Sequence, residues 1–209
     1  MLEKIEIISH SAIKIKSKNI IYIDPFKVAK EYKDADYIFI THSHYDHYSE
    51  EDIIKIKNIN TKIIVPTDLY DKVSKIGFIK EKIVIVEPNS KYKIDEIEFE
   101  TIPAYNVNKT FHHKENKWVG YIINICNKKY YVAGDTDITE ENKNVKCDIA
   151  FLPIGGVYTM NYEEAAYLAN IIKPNMVIPI HYGSIIGTKE DAIMFSKLVS
   201  KDIECKIIL

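Results

Sequence analysis

The stretch YIFITHSHYDHYSEEDI, residues 37–53, decides how the chain is read. Tyr37 to Ile40 have the make-up of a short buried strand. They run directly into Thr41-His42-Ser43-His44-Tyr45-Asp46-His47. Ser49 then stands three residues before Asp52, the serine-then-acid spacing that opens a helix. Three of the seven histidines thus fall within six residues, beside an aspartate, where a strand gives way to a helix. Imidazole nitrogens mixed with carboxylate oxygens suit zinc, manganese or iron, whereas calcium and magnesium favour oxygen alone.

Upstream, residues 3–8, 12–16 and 20–23 read as short strands close enough in sequence to pair antiparallel, with Ser9-His10-Ser11 as a turn and Asp24-Pro25 ending the third. Downstream, strands are expected near 62–65, 82–86 and 91–102, with a helical stretch near 67–76. Residues 118–133 read as a hairpin turning at Asn127-Lys128. A strand at 149–152, a helix at 162–172, a strand at 177–180, a helix at 189–200 and a strand at 203–208 complete the pattern. Strands dominate first and alternate with helices later, which predicts a mixed α/β (α+β) chain with two sheets covered by helices.

Two remote residues occupy the same kind of position as the histidine cluster. Asp135 follows YYVAG at 130–134, and His181 follows VIPI at 177–180. A carboxylate desolvated at a strand exit needs a partner, and a metal supplies one.

Composition narrows the function. The 28 basic residues are all lysine and are balanced by 30 acidic ones, for a net charge of −2. No global field therefore draws the chain to nucleic acid or to an anionic membrane. Without arginine there is no guanidinium fork for bidentate phosphate contacts, so an anionic substrate must be met by lysine, backbone N–H groups or a metal. Cys126, Cys147 and Cys205 are scattered and odd in number, which fits a reducing compartment, and a cytoplasmic protein is expected. The length suits one domain over 1–209, since single cores stop growing only at about 250–300 residues. A homo-oligomer is compatible with the sequence.

HSHYDH at 42–47, GDTD at 134–137 and PIHYG at 179–183 resemble, in order, the motifs of the metallo-β-lactamase-fold hydrolases. DPF at 24–26, PAYN at 103–106, and GGVYTM at 155–160 followed by Glu163, Glu164 and Ala165 extend the likeness. They resemble the branch containing the L-ascorbate-6-phosphate lactonase type. The resemblance implies an αββα sandwich carrying one or two divalent transition-metal ions, zinc or manganese first and iron as an alternative. It implies His42 and His44 on a first ion, Asp46, His47 and His181 on a second, and Asp135 bridging both. Asp24 would orient a ligating imidazole from behind. Asn106 stands where some relatives carry a third histidine. Either it ligates weakly, or His112 brings an imidazole back, or the first ion site is underfilled; His112 is the preferred choice.

The expected activity is hydrolysis of a small ester, lactone or phosphate ester by a metal-activated water, with Asp46 or Asp135 taking the proton and His112 or Tyr158 steadying the developing negative charge. Tyr105, Phe111, Trp118, Tyr158 and Met160 are candidates to line a pocket, and Lys109 and Lys114 to meet an anionic group. The alternative is a non-catalytic metal-binding or ligand-sensing module. Redox relatives tend to carry glutamate where His44 stands, and nuclease relatives need an added element for which 209 residues leave no room.

Overall fold

The computed structural model describes residues 4–209. They divide into two compact units, one ending at Glu87 and one beginning at Pro88.

The first unit holds a six-stranded sheet. Strands β1 (Lys4–Ser9), β2 (Ala12–Lys16) and β3 (Ile20–Ile23) form the expected antiparallel meander, residue 3 of the expected first strand lying outside the described residues. β4 (Ala35–Phe39), β5 (Lys57–Pro66) and β6 (Ile83–Val86) then add in parallel. Helix α1 (Glu50–Ile56) begins at Ser49, whose side chain accepts from the Asp52 N–H, and carries three acids in its first turn, where the helix dipole favours them. Helix α2 (Tyr70–Lys75) follows β5. Tyr22, Ile38, Ile53, Ile56, Ile63, Val65, Leu69 and Val73 fill the core of this unit. Asp52 is also buried, and its carboxylate accepts the backbone N–H groups of Lys27 and Val28 at 2.8 and 3.0 Å, anchoring the segment just after Asp24.

The second unit holds a seven-stranded sheet. β7 (Lys91–Ile94), β8 (Ile97–Pro103), β9 (Val119–Ile125) and β10 (Lys128–Val132) are antiparallel neighbours, and β11 (Ile149–Pro153), β12 (Met176–Ile180) and β13 (Glu204–Cys205) continue in parallel. Helices α3 (Tyr162–Ile172) and α4 (Lys189–Leu198) both open with capping boxes, Asn161 with Glu164 and Thr188 with Asp191. In both sheets every strand lies beside the one that precedes it in sequence.

Three expectations are corrected. Residues 91–102 are a hairpin rather than one strand, broken at Asp95, whose φ of +53° is left-handed, a conformation aspartate tolerates. The β9–β10 turn is Cys126-Asn127, one residue earlier than expected, and both residues take positive φ, as a two-residue hairpin requires. The final strand is only Glu204–Cys205.

Strand direction gathers the polar residues. In the first unit β1 runs the same way as β3 and β4, so the β1–β2 turn, Asp24 and Thr41–His47 all leave one end of the sheet. In the second, β8, β10, β11 and β12 share a direction, so Asn106, Asp135, Gly155 and His181 likewise follow strand ends on one side.

Candidate metal centre

In the first unit the geometry starts at Asp24. Its backbone takes φ +46° and its side chain is fully buried. One carboxylate oxygen accepts the Thr41 backbone N–H at 2.8 Å, while the other accepts the Thr41 hydroxyl at 2.7 Å and lies 2.8 Å from His47 Nδ1. Burial holds the Asp24 carboxyl above the usual carboxylate value, and His47 and Thr41 offset only part of that rise. A carboxylate only accepts, so His47 carries a proton on Nδ1, and the neutral ring then has an unprotonated Nε2. The Thr41 hydroxyl, having given its proton to Asp24, accepts from His42 Nδ1 at 3.0 Å, which bares His42 Nε2 as well. That nitrogen stands 3.1 Å from His44 Nδ1. Asp46 Oδ2 lies 3.7 Å from His47 Nε2 and 3.3 Å from His10 Nε2.

In the second unit Asp135 is the hub. Its Oδ2 lies 3.1 Å from His181 Nε2 and 3.2 Å from His112 Nε2, with all three side chains buried. Asn106 sits behind His112. Its Nδ2 donates to the Tyr158 carbonyl at 2.9 Å, while its Oδ1 accepts the His112 backbone N–H at 3.0 Å and lies 3.1 Å from His112 Nδ1. Asn106 is thus an orienting partner rather than an open ligand, and the proton it draws to Nδ1 leaves Nε2 bare toward Asp135. Trp118 meets the His112 ring edge to face, with centroids 5.7 Å apart. The loop bearing these residues is tied to the segment after Asp135: Asp137 pairs with Lys109 and accepts the Val107 N–H, and Glu141 binds both Tyr105 and Lys114.

Within each unit the donor set suits a transition metal. Two donors bound to one tetrahedral ion at about 2.0–2.2 Å stand roughly 3.3–3.5 Å apart, close to the separations of His42 from His44 and of Asp135 from His112 and His181. Buried imidazoles turned lone pair outward beside carboxylate oxygens are stable only when a cation or proton lies between them.

The motif residues His42, His44, Asp46 and His47 gather in the first unit with Asp24, and Asp135 and His181 in the second with His112. Sequence reading missed His10, whose only signal was a histidine at a hairpin tip. Two other expectations change. Met160 belongs to the core of its unit and is not a pocket residue. Lys109 and Lys114 are each already engaged by a carboxylate.

Two sheets of this strand order, with helices and polar clusters at the strand ends, make a metallo-β-lactamase fold. A family model described as the beta-lactamase superfamily domain matches residues 4–181, running across both units, and the chain belongs to that superfamily. A UPF0173 metal-dependent hydrolase of Pyrococcus furiosus is 31% identical, over 99% of this chain and 95% of the relative. Among solved structures, a Parabacteroides distasonis protein provisionally named a metal-dependent hydrolase superposes with a TM-score of 0.82 at 28% identity, covering 98% of this chain and 92% of that one. Igni18, a metallo hydrolase of Ignicoccus hospitalis, shares the fold with a TM-score of 0.79 at 23% identity, covering 98% and 94%. Among the described residues no helix is long and apolar enough to cross a membrane.

Proposed function

We propose that this chain is a metal-dependent hydrolase of small esters, lactones or phosphate esters, working with one or two divalent transition-metal ions. The observation that carries the reading is Asp135 Oδ2 held within 3.2 Å of two imidazole Nε2 atoms, one of them His112, in a unit otherwise built on apolar packing. The imidazole that PAYN lacks is supplied six residues later. This favours turnover over a module that senses ligand without catalysis.

In this reading His42 and His44 hold one ion and Asp46 and His47 another in the first unit, while His112, Asp135 and His181 are the donors of the second unit. When bound, such ions lower the pKa of a water toward about 7 and polarise a carbonyl or phosphoryl oxygen. The protein's own residues do the rest. Asp24, Thr41 and Asn106 fix the tautomers of His47, His42 and His112, so that each presents a lone pair without reorganising. Asp46 and Asp135 are the carboxylates placed to take the proton released during attack. With Lys109 and Lys114 engaged by acids, a small neutral or singly charged substrate fits better than a polyanion, and nucleic acid is not the expected partner. The three free cysteines accord with a reducing compartment such as the cytoplasm.

The test is to load metal-free protein with zinc, manganese or ferrous iron and to assay panels of esters, lactones and phosphate esters, with Asp135→Ala as control. Metal-dependent turnover lost in the variant supports the reading. Protein that binds no transition metal, or loaded protein inert on all three classes, overturns it.

A further inference from the structure

Nothing in the motif pattern assigns His10, yet its environment is that of a working residue. It sits in the two-residue turn between β1 and β2, where Ser9 pairs with Ala12. Its backbone takes φ +51°, a left-handed conformation that such turns normally give to glycine, asparagine or aspartate. Histidine there is strained, and strain of this kind persists only where surrounding structure imposes it, most often at functional sites. The imidazole is also fully buried, the side chain showing no exposed surface. A turn tip is ordinarily the most solvated part of a hairpin, so burial and left-handed backbone together mean that the side chain is drawn inward.

What draws it inward is Asp46. His10 Nε2 lies 3.3 Å from Asp46 Oδ2, the same oxygen that lies 3.7 Å from His47 Nε2, and the His10 and His47 rings meet edge to face with centroids 6.5 Å apart. With its Nδ1 proton committed to Asp24, the neutral His47 ring has an unprotonated Nε2. One carboxylate oxygen therefore faces two imidazole nitrogens from separate stretches of chain, and the neutral His47 ring cannot donate to it. An oxygen and two nitrogens so arranged form one face of a coordination sphere.

We propose that His10 is a further metal ligand, giving its Nε2 to the ion assigned to Asp46 and His47. The inference rests on the metal occupancy proposed above. It adds a histidine outside the HSHYDH, GDTD and PIHYG motifs to that site.

The variant that tests it is His10→Gly, because glycine adopts φ +51° without strain and the hairpin is kept. Circular dichroism of the metal-free protein is expected to match wild type, with a thermal transition lowered only by the cavity that the imidazole leaves. Zinc titration is expected to show one ion bound more than about 100-fold more weakly, beyond the 10–100-fold typical of losing an outer orienting partner. Direct evidence comes from wild-type protein loaded with a spin-active cadmium isotope and carrying nitrogen-labelled histidine: the His10 Nε2 resonance is expected to split by coupling to the metal. A protonated His10 Nε2 with no splitting, in protein whose His47 Nε2 is split, makes His10 only a hydrogen-bond donor to Asp46 and overturns the proposal. So does His10→Gly binding zinc as wild type does. Wild-type protein that takes up neither zinc nor cadmium overturns the metal reading itself, and this inference falls with it.

Discussion

Asn106 grips His112 twice, accepting its backbone N–H at 3.0 Å and lying 3.1 Å from its Nδ1, while the amide's other end is fixed by the Tyr158 carbonyl at 2.9 Å. The asparagine cannot turn over, because its NH2 would then face the His112 N–H.

Asn106→Ala is therefore expected to leave the fold intact and to release the imidazole to exchange tautomers. Metal affinity should drop about 10–100-fold, the usual effect of losing an orienting partner. Nitrogen NMR of the histidine ring and a competitive zinc titration check both parts; an unchanged tautomer in the variant would refute the assignment.

Asp24 gives two separable outcomes. Asp24→Asn keeps an acceptor for Thr41 and should retain most stability while weakening metal binding through His47. Asp24→Leu leaves the Thr41 N–H without its acceptor and His47 Nδ1 with only the long contact to the Thr41 hydroxyl in a dry site, and is expected to cost about 3–5 kcal/mol. Urea denaturation of the two variants should order them that way.

At Gly155 the constraint is space. A Cβ there would lie 2.6 Å from Ile186 Cγ2, 2.7 Å from the His181 carbonyl oxygen and 2.9 Å from His181 Nδ1. Backbone oxygen does not move cheaply, so Gly155→Ala should displace His181 from Asp135 and destabilise by about 1–3 kcal/mol. Metal stoichiometry together with thermal denaturation reads both effects; unaltered metal binding would mean that His181 does not ligate.

Glu141 sets a pH dependence. Burial alone would raise its carboxyl, but hydrogen bonds from Lys114 and Tyr105 outweigh this and hold it below the usual value. A depressed folded-state value gives stability that is present above the ordinary glutamate pKa of about 4.3 and is lost as pH falls through the lower folded value. Wild type should therefore exceed Glu141→Gln in stability at pH 6 to 7 by a margin that closes on acidification below about pH 4. A margin constant with pH would show that Glu141 does not titrate as argued.

The sequence made legible whatever was written contiguously. HSHYDH, GDTD and PIHYG each stand at the end of an apolar run, so both the strands and the polar residues leaving them could be read. Ser49 marked a helix start for the same local reason. Less legible was whatever depends on a turn without glycine: Asp95 breaks a continuous-looking strand, and Cys126 takes a left-handed conformation that its residue type does not advertise. His10 escaped notice because a lone polar residue at a hairpin tip looks solvated, and only the fold turns it toward Asp46. Met160 has the chemistry of either core or pocket, and burial decides.

The unbroken sequential order of strands in both sheets bears on how the molecule is made. As the polypeptide leaves the ribosome, each new strand meets a ready edge left by its predecessor, and none has to be threaded between two already joined. The HSHYDH segment is complete once β4 has docked, long before GDTD and PIHYG have been synthesised. The nascent chain thus carries one of its two polar clusters early and acquires the other only after β10 and β12 have been added.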